Sequence, residues 1–362
     1  MKYIKDEAKL AMLNSLVDLE GDKGRIYEMT YTADYKLDDA LNADTDSVST
    51  VAAFVAKNLL DVPFKSNPKL SYSAGCSAFA CPDTNSGNFI MGRNFDFNHI
   101  DPVTHERTMI PAIVVHTAPA GGKKSVSFVD GLFANYKSSF FTDGSSDLSL
   151  LIALPYLLLD GINEDGLAVS VLKLDGLPTR QHEPGKKKIF TTVALRMVLD
   201  RASTVKEAIE MLKQYNMCMD KDPASYHFFM ADALGDFAII EYTNNNTDVH
   251  PDTMEVLTGD DALRYVTNFY VSPSMADTPH GRNISTHGKN RYEILRDRLA
   301  DLKYKASPAQ AFELLQAVSQ GPDDDQSSTG FTQWSQVYNL NEKTVTMSIL
   351  REWNKQFIFH IK

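Results

Sequence analysis

Gly75-Cys76-Ser77-Ala78-Phe79-Ala80-Cys81, the turn residues Asp83-Thr84-Asn85-Ser86-Gly87-Asn88, and Phe89-Ile90-Met91-Gly92-Arg93-Asn94-Phe95-Asp96-Phe97 form the stretch on which the fold is decided. A small and apolar run, a Gly/Asn/Asp turn and a second apolar run read as a β-hairpin. The same residues carry chemistry. A thiol becomes a nucleophile when its pKa falls or a base stands beside it, and a cation such as Arg93 favours the thiolate. A carboxylate such as Asp96 can hold an amine through charge-assisted hydrogen bonds. Gly75 leaves the preceding peptide open to attack by the thiol. If that peptide breaks, Cys76 gains an α-amino group of unperturbed pKa about 8. That amine can then serve as the cysteine's own base.

Outward from the hairpin, residues 1–75 read as helical at both ends of a polar middle. Lys5 to Leu19 and Asp46 to Leu60 carry apolar faces, and Pro63 and Pro68 break the pattern before Cys76. Beyond the hairpin, strands are expected at Ala112–Thr117, Ser125–Val129, Leu167–Leu174, His227–Met230, Phe237–Tyr242 and Tyr265–Asn268. Helices are expected within Thr191–Tyr215, with a capping box at Ser203-Thr204 and Glu207, and at Asn290–Leu302 and Pro308–Val318. A strand meander closes the chain at Gln333–Asn339, Thr344–Arg351 and Gln356–His360. Strands, then helices, then strands form an α+β pattern rather than a βαβ repeat.

The bulk composition is that of an ordinary globular chain: 362 residues, 43% hydrophobic and 23% charged. With 36 Lys and Arg against 47 Asp and Glu, the formal net charge is −11. That balance argues against a nucleic-acid partner, which is bound by neutralising phosphates, and against a basic membrane-surface helix. The longest apolar run, Leu148 to Leu159, contains a proline and falls short of the roughly 20 residues of a bilayer span. The charged amphipathic start is no signal peptide, so the chain as it stands reads as cytoplasmic; an export signal removed beforehand stays open. Three cysteines make no disulfide framework, and nine scattered histidines complete no zinc set. HExxH, GxGxxG and P-loop patterns are absent, so neither metal nor cofactor is expected.

At residues 75–97 the sequence resembles the nucleophile hairpin of the choloylglycine hydrolase type of N-terminal-nucleophile (Ntn) hydrolases. These are linear amide C–N hydrolases such as bile salt hydrolases, penicillin V acylase and acid ceramidase. The pattern stands here as Cys76-Ser77-Ala78, Gly87 and Gly92-Arg93-Asn94-Phe95-Asp96. Weaker likeness continues at Gly161-Ile162-Asn163-Glu164-Asp165-Gly166-Leu167, at Val266-Thr267-Asn268-Phe269 and at Asn290-Arg291-Tyr292. The resemblance implies a four-layer αββα sandwich of two stacked antiparallel sheets over residues 76–362, preceded by a helical pro-segment, 1–75. It implies Cys76 as nucleophile, Asp96 as anchor of the freed amine, and Arg93 as support for the thiolate. Asn268 would stabilise the oxyanion and Arg291 complete the network. Lys173 stands where the family often carries Asn, which puts a substrate or oxyanion contact there in question. The long leading segment resembles the ceramidase side of the family, where it stays bound as a small subunit after autocleavage.

The function implied is an autoprocessed cysteine amidase acting on a small-molecule N-acyl amide of bile-salt, penicillin V or N-acyl amine type. An N-acyltransferase would share every site residue, and an uncleaved, non-catalytic binding protein is a third reading. A papain-like protease finds no support around Cys76. Asn163, Lys173, Phe95 and Phe97 are further substrate-binding candidates, and Phe79, Phe133 and Tyr136 would help line an apolar pocket. Asn163 also sits where a turn wants it. Cys81 reads as core, Cys218 as helix-end packing, and His99, His105 and His227 as satisfied surface or loop residues. A homo-oligomer stays open.

Overall fold

In the computed structural model, residues 1–21, 23–63, 74–100, 107–134, 147–219, 225–244, 250–284, 286–321 and 330–362 are described. The hairpin is present, with β3 (Ala74–Pro82) antiparallel to β4 (Phe89–Phe97). Asp83 builds its turn: the Asn85 amide and the Ser86 hydroxyl donate to its carboxylate, and Gly87 takes the left-handed φ of 75°. Around the hairpin grows a six-stranded sheet in the order β14-β3-β4-β15-β16-β17. Its other members are β14 (Tyr265–Val266), β15 (Phe331–Asn339), β16 (Thr344–Ile349) and β17 (Phe357–His360).

The second sheet has nine strands: β1 (Val17–Asp18), β2 (Ile26–Tyr31), β5 (Ala112–Thr117), β6 (Ser125–Asp130), β7 (Asp160–Asn163), β8 (Ala168–Leu174), β11 (Ser225–Ala231), β12 (Phe237–Thr243) and β13 (Thr253–Leu257), adjacent in that order. All its pairings are antiparallel except β2 with β5. A short parallel pair, β9 (Lys187–Ile189) with β10 (Tyr215–Met217), stands apart.

Strand parity decides the layers. Cys76, Ala78, Met91, Phe95, Phe97, Trp334 and Tyr338 alternate onto one face and join the core shared with the nine-stranded sheet. Phe79, Cys81, Ile90 and Val337 point the other way, packing on Leu295 and Leu299 of one helix and Leu314 and Leu315 of the next. The helices are α1 (Glu7–Leu13), α2 (Leu37–Asn42), α3 (Val48–Asn58), α4 (Thr191–Arg201), α5 (Val205–Leu212), α6 (Lys289–Asp301) and α7 (Pro308–Ala317). α4 packs on β7 and β8, and α7 packs on β4 and β15, which completes the expected four layers. The Thr204 hydroxyl caps α5 at the Glu207 amide, while the Glu207 carboxylate reaches the Ser203 amide. The Leu148–Tyr156 run is a 3-10 helix whose Leu151 and Leu154 are fully buried.

One expectation needs correction. The polar middle of residues 1–75 holds β1 and β2, so this segment is not purely helical. Six residues of β2, Ile26 to Tyr31, pair in register with Ala112 to Thr117 of β5. Glu28 and Thr30 interrupt the apolar run and mask a strand in the sequence. In the sheet, Glu28 is satisfied by His116 and Lys362, each 2.7 Å away.

Candidate active site

Parity also divides the site. Cys76 lies opposite Phe95, and Ala78 opposite Arg93, so the thiol and the guanidinium share the face turned to the nine-stranded sheet. Gly75 lies opposite Asp96, on the other face. Arg93 is fully buried and donates to the carbonyls of Asn94 and of Val171 on β8, the latter at 2.8 Å. Its Nε lies 3.5 Å from the Asp160 carboxylate. Burial works against the Arg93 charge, but the Cys76 sulfur, by charge and hydrogen bond, and Asp160 more than offset it, so the guanidinium holds its proton more firmly. Burial pushes Asp160 up to about 6, against the pull of Arg93, Tyr338, Trp334 and Gln336.

Asp96 is fully buried, and accepts from Gln320 Nε2 at 2.8 Å and Thr332 Oγ1 at 2.5 Å. Arg291 Nη1 lies 3.6 Å from it. Burial raises the Asp96 pKa even so; Arg291, Thr332, Gln320 and Arg93 only moderate the rise. Gly75 packs closely against this cluster. A Cβ there would sit 2.2 Å from Gln320 Nε2 and push that amide off Asp96.

Asn268 and Arg291 close the network around the Cys76 backbone. The Cys76 amide donates to Asn268 Oδ1 at 2.7 Å, and Arg291 Nη2 donates to the same oxygen at 2.7 Å. Arg291 Nη1 donates to the Cys76 carbonyl at 2.5 Å and to Ser77 Oγ at 3.1 Å. Asn268 Nδ2 gives one hydrogen to the Lys173 carbonyl at 2.8 Å. Its second hydrogen has no partner among the described residues, on a side chain that lines a cleft of about 290 Å³. The other walls are Asp175, Pro279, His280, Thr286 and His287. His287 Nε2 donates to the Ala74 carbonyl at 3.1 Å. Burial, reinforced by the Arg291 charge, drops its pKa to about 4. The cleft therefore carries a neutral imidazole near pH 7.

Five sequence candidates, Cys76, Arg93, Asp96, Asn268 and Arg291, thus meet in one buried cluster. Asn163 does not join them. Its amide nitrogen donates to Leu199 and Ala202 carbonyls, and its oxygen accepts from the Asp165 and Leu167 amides, so the turn and the end of α4 use the whole side chain. Lys173 enters through its carbonyl; its Nζ lies 3.9 Å from Asp175. Phe95 and Phe97 stack at 5.6 Å beside Trp334 and Phe133, on the Cys76 face. Phe79 is no pocket wall: it belongs to the core under α6 and α7. Tyr136 and His105 lie outside the described residues.

Of the histidines read as satisfied surface or loop residues, His99 stands in the loop after β4 but is buried, and His227 is a buried strand residue. His99 pairs with Asp130 at 2.7 Å, and His227 lies within β11, with both ring nitrogens bonded. Cys218 follows β10 rather than a helix and donates to the Gln181 carbonyl. Sequence reading missed Gln320, Thr332, Asp160, Glu241 and His287. Glu241 had left a signal, a lone charge inside the apolar run of β12. Among the described residues, no group of His, Cys, Asp and Glu could hold a metal ion, and no helix is long and apolar enough to cross a membrane.

A comparison with protein families matches residues 76–280 to the linear amide C–N hydrolases, choloylglycine hydrolase family. The chain belongs to this family. The match begins at Cys76 itself. A penicillin V acylase from Pectobacterium atrosepticum is 36% identical over 100 residues, 25% of this chain and 27% of that protein's length. The chain thus spans about a quarter of that relative. A penicillin V acylase structure from Agrobacterium tumefaciens superposes with a TM-score of 0.52 at 16% identity, covering 79% of this chain and 86% of that one. A conjugated bile acid hydrolase variant from Clostridium perfringens gives 0.51 at 15% identity, covering 79% and 92%. At such identities the likeness is one of fold, the Ntn-hydrolase sandwich.

Proposed function

We propose that this choloylglycine hydrolase family member is an autoprocessed cysteine amidohydrolase that cleaves N-acyl amides through an acyl-thioester on Cys76. The observation that carries the reading is one cluster in which the Cys76 sulfur meets Arg93 while its backbone nitrogen meets Asn268, beside Arg291 and Asp96. In processing, the Cys76 sulfur attacks the Gly75 carbonyl carbon, the C–N bond breaks and the Cys76 nitrogen leaves as an amine. Water then hydrolyses the thioester, ending the leading segment in the Gly75 carboxylate. The pairing of β2 with β5 supports retention of residues 1–75 as a companion chain, since losing it would strip an edge from the sheet.

In turnover the freed amine takes the thiol proton and the thiolate attacks the substrate carbonyl. Arg93 stabilises that thiolate, and Asp96 and Arg291 fix the polarity around the ammonium. The developing oxyanion meets the open Asn268 N–H, a type of donor worth about 10²–10³ in rate. The ammonium protonates the departing amine, and water, deprotonated in turn by the Cys76 amine, releases the acid. The polar cleft with Asp175, His280 and Thr286 suits a polar amine half, and the Phe95–Phe97–Phe133 group an apolar acyl chain. Each buried methylene of that chain would contribute about 0.8 kcal/mol.

Intact-mass analysis joined to a substrate panel tests the reading. Two masses are expected, one ending at Gly75 and one beginning at Cys76, with amine released from bile-salt, penicillin V or N-acyl amine substrates. A single uncut chain in fully active enzyme would overturn autoprocessing. A cut, folded protein inert on the whole panel would overturn the hydrolase reading.

A further inference from the structure

We propose that His227 and Glu241 form a buried clamp that sets the position of Asn268, making both of them positioning residues for catalysis. The proposal rests on the reading of Asn268 as the oxyanion donor. His227 on β11 and Glu241 on β12 are each wholly buried and face each other, Nδ1 to Oε1, at 3.0 Å. Neither contacts Cys76 or lines the cleft. Their remaining hydrogen bonds all go to one short segment, Thr267 to Ser272, which follows β14 and carries Asn268.

His227 Nε2 donates to the Thr267 carbonyl at 2.8 Å. That carbonyl belongs to the peptide joining Thr267 to Asn268, so the bond fixes the plane from which the Asn268 side chain departs. At the far end of the segment, Glu241 Oε1 accepts from the Val271 amide at 3.0 Å. Its Oε2 accepts from the Ser272 amide at 2.9 Å and the Ser272 hydroxyl at 2.5 Å. His227 Nδ1, the Val271 and Ser272 amides and the Ser272 hydroxyl therefore all converge on one carboxyl group. From the other side, the Thr267 hydroxyl donates to the Gly288 carbonyl at 3.0 Å, at the start of the helix that carries Arg291. The clamp is thus joined to both groups that touch the Cys76 backbone.

A buried polar pair is seldom a gain in stability over well-packed apolar residues, so its presence calls for another role. Geometry supplies one. The Asn268 amide has to keep its oxygen on the Cys76 nitrogen, one hydrogen on Lys173 and the other toward the cleft. A segment pinned at both ends by hydrogen bonds to wholly buried side chains holds that arrangement, whereas a free loop would not.

Glu241→Gln tests the clamp, because an amide keeps the volume but turns one acceptor into a donor facing donors. Full-length enzyme carrying Glu241→Gln, Asn268→Ala or both is assayed for kcat, KM and thermal stability. Glu241→Gln alone should lower kcat about 10- to 100-fold, as a displaced catalytic group does, with KM within about threefold. In the Asn268→Ala background the same change should cost no more than about twofold in kcat, since the group being positioned is already gone. An equal kcat loss in both backgrounds, or a folded Glu241→Gln with normal kcat, would overturn the proposal. If Glu241→Gln does not fold, His227→Gln and the charge-keeping Glu241→Asp undergo the same comparison under the same criteria. An Asn268→Ala enzyme with normal kcat would remove both the oxyanion reading and the clamp built on it. Loss through Asn268→Ala with no response to Glu241→Gln would remove the clamp alone.

Discussion

Cys76 and Cys81 stand five residues apart on one strand, and both are nearly inaccessible, at 2% and 0% exposure. An odd separation turns them to opposite faces of the sheet. Cys76 meets a guanidinium and a ring of polar groups. Cys81 lies opposite Ile90 in the apolar cluster that also holds Phe79, Leu299 and Leu315, and burial pushes its thiol up to about 12. Under the proposed mechanism only Cys76 is a nucleophile, so burial alone does not make one. What separates the two cysteines is the charge brought within reach, and strand parity decides which one receives it.

The strongest way to break this contrast is to remove one thiol at a time. Cys76→Ala should abolish processing and lower kcat by at least about 10³-fold, read by intact mass and steady-state assay. Asp96→Asn comes next, with a kcat loss of about 10²-fold and little change in KM, since in the proposed mechanism the amine it anchors acts in the chemical step. A normal kcat in that variant would make Asp96 a purely structural group.

Acidification probes the cleft lined by Asn268 and His287 more gently. The folded His287 pKa is about 4, against about 6.5 when unfolded. Between those values the unfolded chain holds a proton that the folded chain lacks, so stability falls as pH drops through this window. His287→Gln should lose a few degrees less in Tm between pH 7 and pH 4.5. An unchanged acid slope would mean that the imidazole titrates normally. Smallest of all should be Cys81→Ala, with kcat within about twofold of the parent. In the parent, Cys81 should resist alkylation at pH 8, where a thiol of pKa about 12 is thiolate only about once in 10⁴ molecules.

Much of this contrast is written in the sequence. The hairpin is legible because turn residues and alternation are local, and the opposition of Ala78 to Arg93 follows once its register is set. Asn268 and Arg291 are legible only through resemblance, because they come from distant segments. Glu241 and His227 were harder still. Each looks like a stray polar residue until adjacent strands place them together, and pairing of that kind is set by sheet order. Asn163 could be read both as a turn residue and as a substrate contact, and the bonds to its own turn and a nearby helix end fit the turn reading. β2 was hidden because Glu28 and the exposed Thr30 break its apolar pattern, and the partners of Glu28 lie on β5 and at residue 362.

The most direct test of the central claim is to trap the acyl group. Processed enzyme is mixed with an activated acyl compound, quenched in acid within a single turnover and digested for peptide mapping by mass spectrometry. The account predicts the acyl mass on the peptide that begins with Cys76, attached at Cys76 itself, with Cys81 unmodified. Amine release at full rate with no acyl group ever found on Cys76 would contradict it.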